Sequence, residues 1–393
     1  MTISKQVEDS IVRSSWIRKM FEQGAQLKAQ HGPENVFDFS LGNPNLPPPE
    51  KFSETLRDTV NKIGFGDHAY MPNTGLPNAC QAVADYLSKE QGADLAAADI
   101  VMTCGAAGGL NVILKGILDS GDEVITPAPF FVEYNFYASN HGGVLKTVPT
   151  NSDFTLDLEA MAAAIGPKTK AVLINSPNNP TGQIYDKESL MQLGQLLSEK
   201  SAQLSRTIYL ISDEPYRKIV YDGVEVPSLF ECYADSIVTS SYSKDISIPG
   251  ERMGYVAISP AAQYRMDLRN AFALTNRVLG FVNAPALMQR VMAQVQGLCV
   301  DVDVYKRNRD LLCDGLNEAG FEIQKPPGAF YLFPKTPIED DAAFANALQK
   351  ELILTVPGSG FGRAGHIRIT YCVDEKTVIN SIPGFKRVMA QYR

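Results

Sequence analysis

Ala171-Val-Leu-Ile-Asn-Ser-Pro-Asn-Asn-Pro-Thr-Gly182 and Ile208-Tyr-Leu-Ile-Ser-Asp-Glu-Pro-Tyr216, linked by the amphipathic stretch Ser189 to Leu204, decide the fold. Each apolar run is of strand length and stops at turn-forming residues, while the connection repeats its apolar residues at three and four positions. A strand, a helix and a second strand in that order give parallel pairing, because a crossover helix returns the chain to the same end of the sheet. Working outward, Ile100 to Thr103, Glu123 to Thr126, Val144 to Val148 and Ile237 to Ser240 read as further strands, and Gly109 to Leu118 as a further helix. The expectation is an α/β fold with a mostly parallel central sheet covered by helices on both faces. In such sheets ligands bind beyond the carboxyl ends of the strands, which is where Gly105, Asn175 to Gly182, Asp213 and Ser241 to Lys244 fall.

A chain of 393 residues exceeds what one core usually serves, so two domains are expected. Residues 301 to 393 mix helices with the short strands Phe330 to Phe333, Ile353 to Val356 and His366 to Tyr371, and lack the regular alternation of the middle of the chain. A helical stretch near Ile11 to Ala29 is expected to pack on that C-terminal part. The division drawn is 1–46 as a segment joining the small α+β domain, 47–285 as the large domain and 286–393 as the small C-terminal domain. A net charge of -8 argues against a nucleic-acid surface, which needs clustered Lys and Arg. The six cysteines are scattered without a Cys-x-x-Cys pair, and His31, His68, His141 and His366 show no metal spacing, so no metal site and no disulfide framework are expected. No run approaches a membrane span and the first residues lack an apolar signal core; a cytoplasmic protein is expected.

The converging segments differ in what they imply. Lys244 lies among hydroxyls in Ser240-Ser-Tyr-Ser-Lys-Asp-Ile-Ser-Ile-Pro-Gly-Glu-Arg252, a setting for a Schiff-base lysine, since a dry pocket with other positive charge keeps an amine neutral. Asp213 ends an apolar strand and reads either as a cap or as the counter-charge of a buried cation, with Tyr216 within reach of the same ligand. Gly105-Ala-Ala-Gly108 follows a strand and opens a helix, which is either a close-packing device or an anion site made of free N–H groups; Arg252 and Ser241 would complete a phosphate cup. Asn175 to Gly182 is either an ordinary loop or one presenting Asn amides to an oxygen at the sheet edge. Gly360-Phe-Gly-Arg-Ala-Gly365 matches the dinucleotide fingerprint as a string but precedes the strand-like His366 to Thr370, so it is rejected.

Lys244 with Arg252, Asn175 to Gly182, Asp213-Glu-Pro-Tyr216, Tyr70-Met-Pro-Asn-Thr-Gly75 and Arg368 together resemble the class I and II aminotransferases of the aspartate aminotransferase type, which are fold type I pyridoxal-phosphate enzymes. The similarity runs from about Phe37 to Tyr371, with Leu41-Gly-Asn-Pro44, Pro327 to Tyr331 and Val356 to Phe361 as further landmarks. It implies a seven-stranded type of sheet and a ping-pong exchange of an amino group between an L-amino acid and a 2-oxo acid (EC 2.6.1 type) on pyridoxal 5′-phosphate. It also implies roles residue by residue. Lys244 would carry the cofactor and then move the substrate's proton, Asp213 would hold the pyridine nitrogen protonated, and Tyr216 and Asn179 would approach the ring oxygen. Phe131, with Phe130 as the fallback, would stack on the ring; Gly105, Ala106, Ala107, Ser241, Ser243 and Arg252 would bind the phosphate. Tyr70 would reach the neighbouring subunit's cofactor in a homodimer with shared sites, and Arg368, with Asn179 and Gly42 nearby, would grip the substrate carboxylate.

Two departures from the family pattern bear on the substrate. Where dicarboxylate-specific relatives place a second arginine from the partner subunit, Val278 to Ala286 offers none, Arg277 lying close but out of register, and Ala107 stands where many relatives carry a hydroxyl or a lysine. Neutral donors are therefore as plausible as aspartate or glutamate. A carbon-sulfur β-lyase on the same fold, and a non-catalytic regulatory protein that binds the cofactor, are the other readings carried forward.

Overall fold

The computed structural model describes residues 2–5, 7, 8, 11 and 15–392. Counting from β1 (Phe37–Asp38), the strands β2 (Ile100–Thr103), β3 (Glu123–Ala128), β4 (Val144–Pro149), β5 (Thr169–Asn175), β6 (Tyr209–Asp213), β7 (Ser236–Ser241) and β8 (Gly254–Ile258) follow, and β2 to β8 form one sheet of seven. The order is β2-β8-β7-β6-β5-β3-β4, parallel throughout except that β8 runs antiparallel between β2 and β7. The expected strands are therefore present, and β8 is one that the reading of the runs did not include.

Successive side chains point to opposite faces, so the inner strands are apolar on both, whereas the edge strand β4 is largely exposed. In β5, Val172 and Ile174 enter one core cluster while Ala171 and Leu173 enter another, and in β6 Leu210 and Ile211 divide the same way. The first cluster is closed by the helices Pro77–Gln91 and Lys187–Leu204 through Val83, Leu87, Leu190, Leu193 and Leu197. The second is closed by Gly105–Ile117 and Arg265–Val278 through Leu110, Ile113, Leu114, Leu268 and Phe272.

A third cluster gathers Phe39, Tyr216 and the residues from Val300 to Met389. Its strands are short: β9 (Tyr331–Leu332), β10 (Ile353–Leu354), β11 (Val356–Pro357) and β12 (Ile367–Thr370). β10 pairs with β1 in parallel, whereas β11 and β9 flank β12 antiparallel, so the expected single strand Ile353 to Val356 is divided between two sheets. The N-terminal helix runs Ser15–His31, where Gly24 faces the Leu354 side chain; residues 12–14 of the expected stretch lie outside the described residues. Helix Ala286–Met292 contributes Met288, Val291 and Met292 to the first cluster. Gly358–Phe361 is a 3-10 turn leading to β12, so the rejected glycine string opens no helix. No helix among the described residues is long and apolar enough to cross a membrane.

Candidate active site

Strand register brings the key positions to one edge. Asn175 pairs with Asp213, Asp213 with Thr239, and Ser241 with Gly254, which also faces Thr103. The loops leaving these ends line a cleft of about 340 Å³ whose walls include Gly42, Ala106, Ala107, Phe131, Asn179, Asp213, Tyr216, Ser241, Ser243, Lys244, Arg252 and Arg368. Gly105 opens the helix Gly105–Ile117 directly behind Ala106 and Ala107. Phe130, the fallback for Phe131, points instead into the second core cluster. Tyr70 is 92% exposed and does not line the cleft of a single chain.

Lys244 Nζ donates to the Gly42 carbonyl at 2.8 Å and has no carboxylate partner among the described residues. Burial pulls its pKa down to about 8, helped by the positive charges of Arg368 and Arg252, while Cys372 opposes the shift. Asp213 is buried on the other side of the cleft. Its Oδ2 accepts the Tyr134 hydroxyl at 2.7 Å, yet Oδ1 is buried without a donor. Burial raises its pKa to about 7, against the Tyr134 hydrogen bond and with the help of neighbouring Glu214.

Arg368, on β12, is buried with Nη1 on Asn179 Oδ1 at 3.1 Å and Nη2 on the Ser40 carbonyl at 2.5 Å. Its Nε has no acceptor, and the guanidinium lies between the rings of Tyr331 and Phe361, with centroids at 4.9 and 4.8 Å. A buried cation without a counter-anion calls for an anionic ligand. The loop that carries Asn179 is fixed by its own amides: Asn179 N–H donates to Asn175 Oδ1 at 2.7 Å, and Asn175 Nδ2 donates to the Asp213 carbonyl at 2.7 Å.

The helix at Gly105 starts without a side-chain cap, leaving its first N–H groups free. Gly105 has φ +71°, and a Cβ there would stand 2.8 Å from Arg252 Nη2, so glycine is what lets the guanidinium approach the helix start. Arg252 itself is held by Nη1 donating to the Pro249 carbonyl at 2.9 Å. Free N–H groups, two buried serines and one guanidinium form a cradle for a dianion.

Four side chains of this site were not singled out from the sequence. Tyr331 shares a 2.7 Å hydroxyl contact with Tyr216, and its hydroxyl occupies the space a Cβ at Gly42 would need. Tyr134 holds Asp213, while Glu133 and Tyr137 line the wall beside Phe131. Tyr134 opens the helix Tyr134–Ser139 three residues after Phe131, and nothing in the sequence marks it as the partner of Asp213.

Taken together, an unpartnered buried carboxylate oxygen, a lysine of low pKa, an anion cradle and an unpaired buried arginine fit a phosphorylated pyridine aldehyde and an amino acid. Comparisons with known proteins agree. The family described as aminotransferase class I and II matches residues 34–382. A probable aspartate/prephenate aminotransferase of Aquifex aeolicus is 31% identical over 91% of this chain and 92% of its own length. Aromatic-amino-acid aminotransferase 2 of Thermococcus litoralis is 30% identical, covering 100% and 99%. The crystal structure of an aminotransferase from Eubacterium rectale superposes over all of both chains with a TM-score of 0.96 at 38% identity.

Proposed function

We propose, from the premise that this chain belongs to the class I and II aminotransferases and is a fold type I transaminase, that it acts as a cytoplasmic homodimer on pyridoxal 5′-phosphate held in the cleft around Lys244. The observation that carries the reading is the pair of complementary vacancies in charge: Asp213 Oδ1, buried without a donor, and Arg368, buried without an anion, on either side of a lysine poised near neutrality. Family membership favours amino transfer over β-elimination or a non-catalytic role.

The chemistry supplied by pyridoxal 5′-phosphate, when bound, is an aldehyde carbon that carries the amino group and a ring that takes up electron density from the substrate's Cα. Lys244, in its neutral form, would hold the cofactor through that carbon, and its amine would be the group that moves the proton at the substrate's Cα. Asp213, fixed by the Tyr134 hydroxyl, would hold the ring nitrogen protonated, and Tyr216 and Asn179 would donate toward the ring oxygen. The N–H groups of Gly105, Ala106 and Ala107, with Ser241, Ser243 and Arg252, hold the phosphate. Phe131 covers one face of the ring, and Arg368, with Asn179 and the Gly42 backbone nearby, grips the substrate's α-carboxylate.

Tyr70, fully exposed in one chain, is assigned to the neighbouring subunit's site, which makes each cleft complete only in the dimer. The division into 47–285 and a smaller domain formed by 1–46 and 286–393 is supported by the separate cluster that gathers Phe39 with Val300 to Met389; the packing of Ala286–Met292 favours a changeover closer to Val300.

The test uses the cofactor-loaded protein, mixed with single amino acids and no acceptor. Loss of the visible absorption with stoichiometric 2-oxo acid is expected, and Lys244→Ala should abolish it. Turnover that survives in Lys244→Ala would remove the assignment.

A further inference from the structure

We propose that Glu133 sets the side-chain specificity of the cleft, so that this transaminase takes amino acids and 2-oxo acids without a negatively charged side chain and discriminates against dicarboxylates in both half-reactions. The inference rests on the transaminase reading above and adds the substrate class.

The cations of the cleft are already committed. Arg252 stands at the helix start with the anion cradle, and Arg368 is the partner of the α-carboxylate. The remaining lining cation is Lys244, which must be neutral to react. Ala107, at the cradle, is too short to add another. A substrate with a second carboxylate therefore finds no further positive group among the described lining residues of its own chain.

What it meets instead is Glu133, which lines the same wall as Phe131 and Tyr137. The backbone there is anchored, since the Glu133 carbonyl accepts the N–H groups of Phe136 and Tyr137 at 3.0 Å each. The carboxylate has no hydrogen-bond or ion-pair partner among the described residues; half-burial pushes its pKa up, so its charge, and with it the repulsion, is fullest toward alkaline pH. Two carboxylates in a partly dry cleft repel strongly, which is discrimination by an adverse contact. A ping-pong enzyme passes donor and acceptor through one site, so the same exclusion applies to the 2-oxo acid.

Isosteric pairs test the idea: aspartate against asparagine and glutamate against glutamine, as half-reactions of the loaded enzyme. The native enzyme should favour the amide of each pair by about tenfold or more, and Glu133→Gln should bring the ratio to within about threefold. Calorimetry with the unreactive acids maleate and propionate gives a reading independent of turnover, with maleate binding about tenfold tighter to Glu133→Gln. Should that variant fail to fold, Glu133→Ala and the native ratio decide. A native enzyme that handles aspartate as well as asparagine, or a ratio unmoved by the substitution, overturns the proposal and leaves the transaminase intact. Failure of every amino acid to discharge the cofactor would instead overturn the transaminase reading.

Discussion

Burial pushes Lys244 and Asp213 toward the same end by opposite shifts. The lysine falls to about 8 and the carboxyl rises to about 7, so burial moves both toward neutrality. Since only the neutral amine attacks an aldehyde, uptake of pyridoxal 5′-phosphate by the cofactor-free protein should quicken about tenfold per pH unit below about 8 and level off above it; stopped-flow mixing across pH checks this. Asp213 acts on stability instead. Between its unfolded value of 3.8 and about 7 the native carboxyl keeps a proton that the unfolded chain has released, so stability falls as pH rises through that window. At about 1.4 kcal/mol per unit the upper limit is about 4 kcal/mol, and Asp213→Asn should flatten that part of the cofactor-free melting profile. Lys244 and Asp213 could be singled out from the sequence because each stands in a local motif, and Arg368 only through the family resemblance. Tyr134 and Tyr331 could not, because their roles are contacts with partners 79 and 115 residues away.

At the level of elements, the runs of β2, β3, β5, β6 and β7 were legible because burial on both faces makes them mostly apolar, while the largely exposed edge strand β4 was legible from Val144, Leu145 and Val148 between turn residues. β8 escaped for a topological reason: it follows β7 through the Lys244 loop and the turn Pro249–Glu251, with no crossover helix to announce it. Ile353 to Val356 looks like one strand since pairing partners, not composition, divide it. The start of β8 is also where the anion cradle is closed. A Cβ on Gly254 would lie 2.5 Å from the Ser240 carbonyl and 2.7 Å from the Gly105 carbonyl carbon, both backbone atoms that cannot swing aside. Gly254→Ala should therefore cost about 2–4 kcal/mol in urea unfolding and, if the helix start at Gly105 holds the phosphate as proposed, weaken cofactor retention. Gly250→Ala, where a Cβ would meet nothing within 4 Å, should stay within about 0.5 kcal/mol of the parent.

Over the whole molecule, the cleft lies where three stretches of chain are stitched together. Lys244 donates to Gly42, Arg368 to Ser40 and Asn179, and Tyr331 closes on Tyr216, so residues near 40, in the central sheet and in the C-terminal part meet on one site. The proposed dimer would extend that logic. Phe65 and Tyr70 stand fully out from one loop, and neither has a place in the core of its own chain. If Tyr70 serves the neighbouring cleft, Lys244→Ala and Tyr70→Ala damage the same site only when they meet across the interface. Each variant alone should be weak, Lys244→Ala abolished. After subunit exchange between the two, half of the dimers are mixed and each mixed dimer holds one intact cleft beside one carrying both lesions, so activity should recover to about a quarter of the native value. If Tyr70 belonged to its own cleft, each mixed dimer would hold one defective site of each kind and exchange would restore nothing, which makes the mixed sample a direct reading of which chain completes the site.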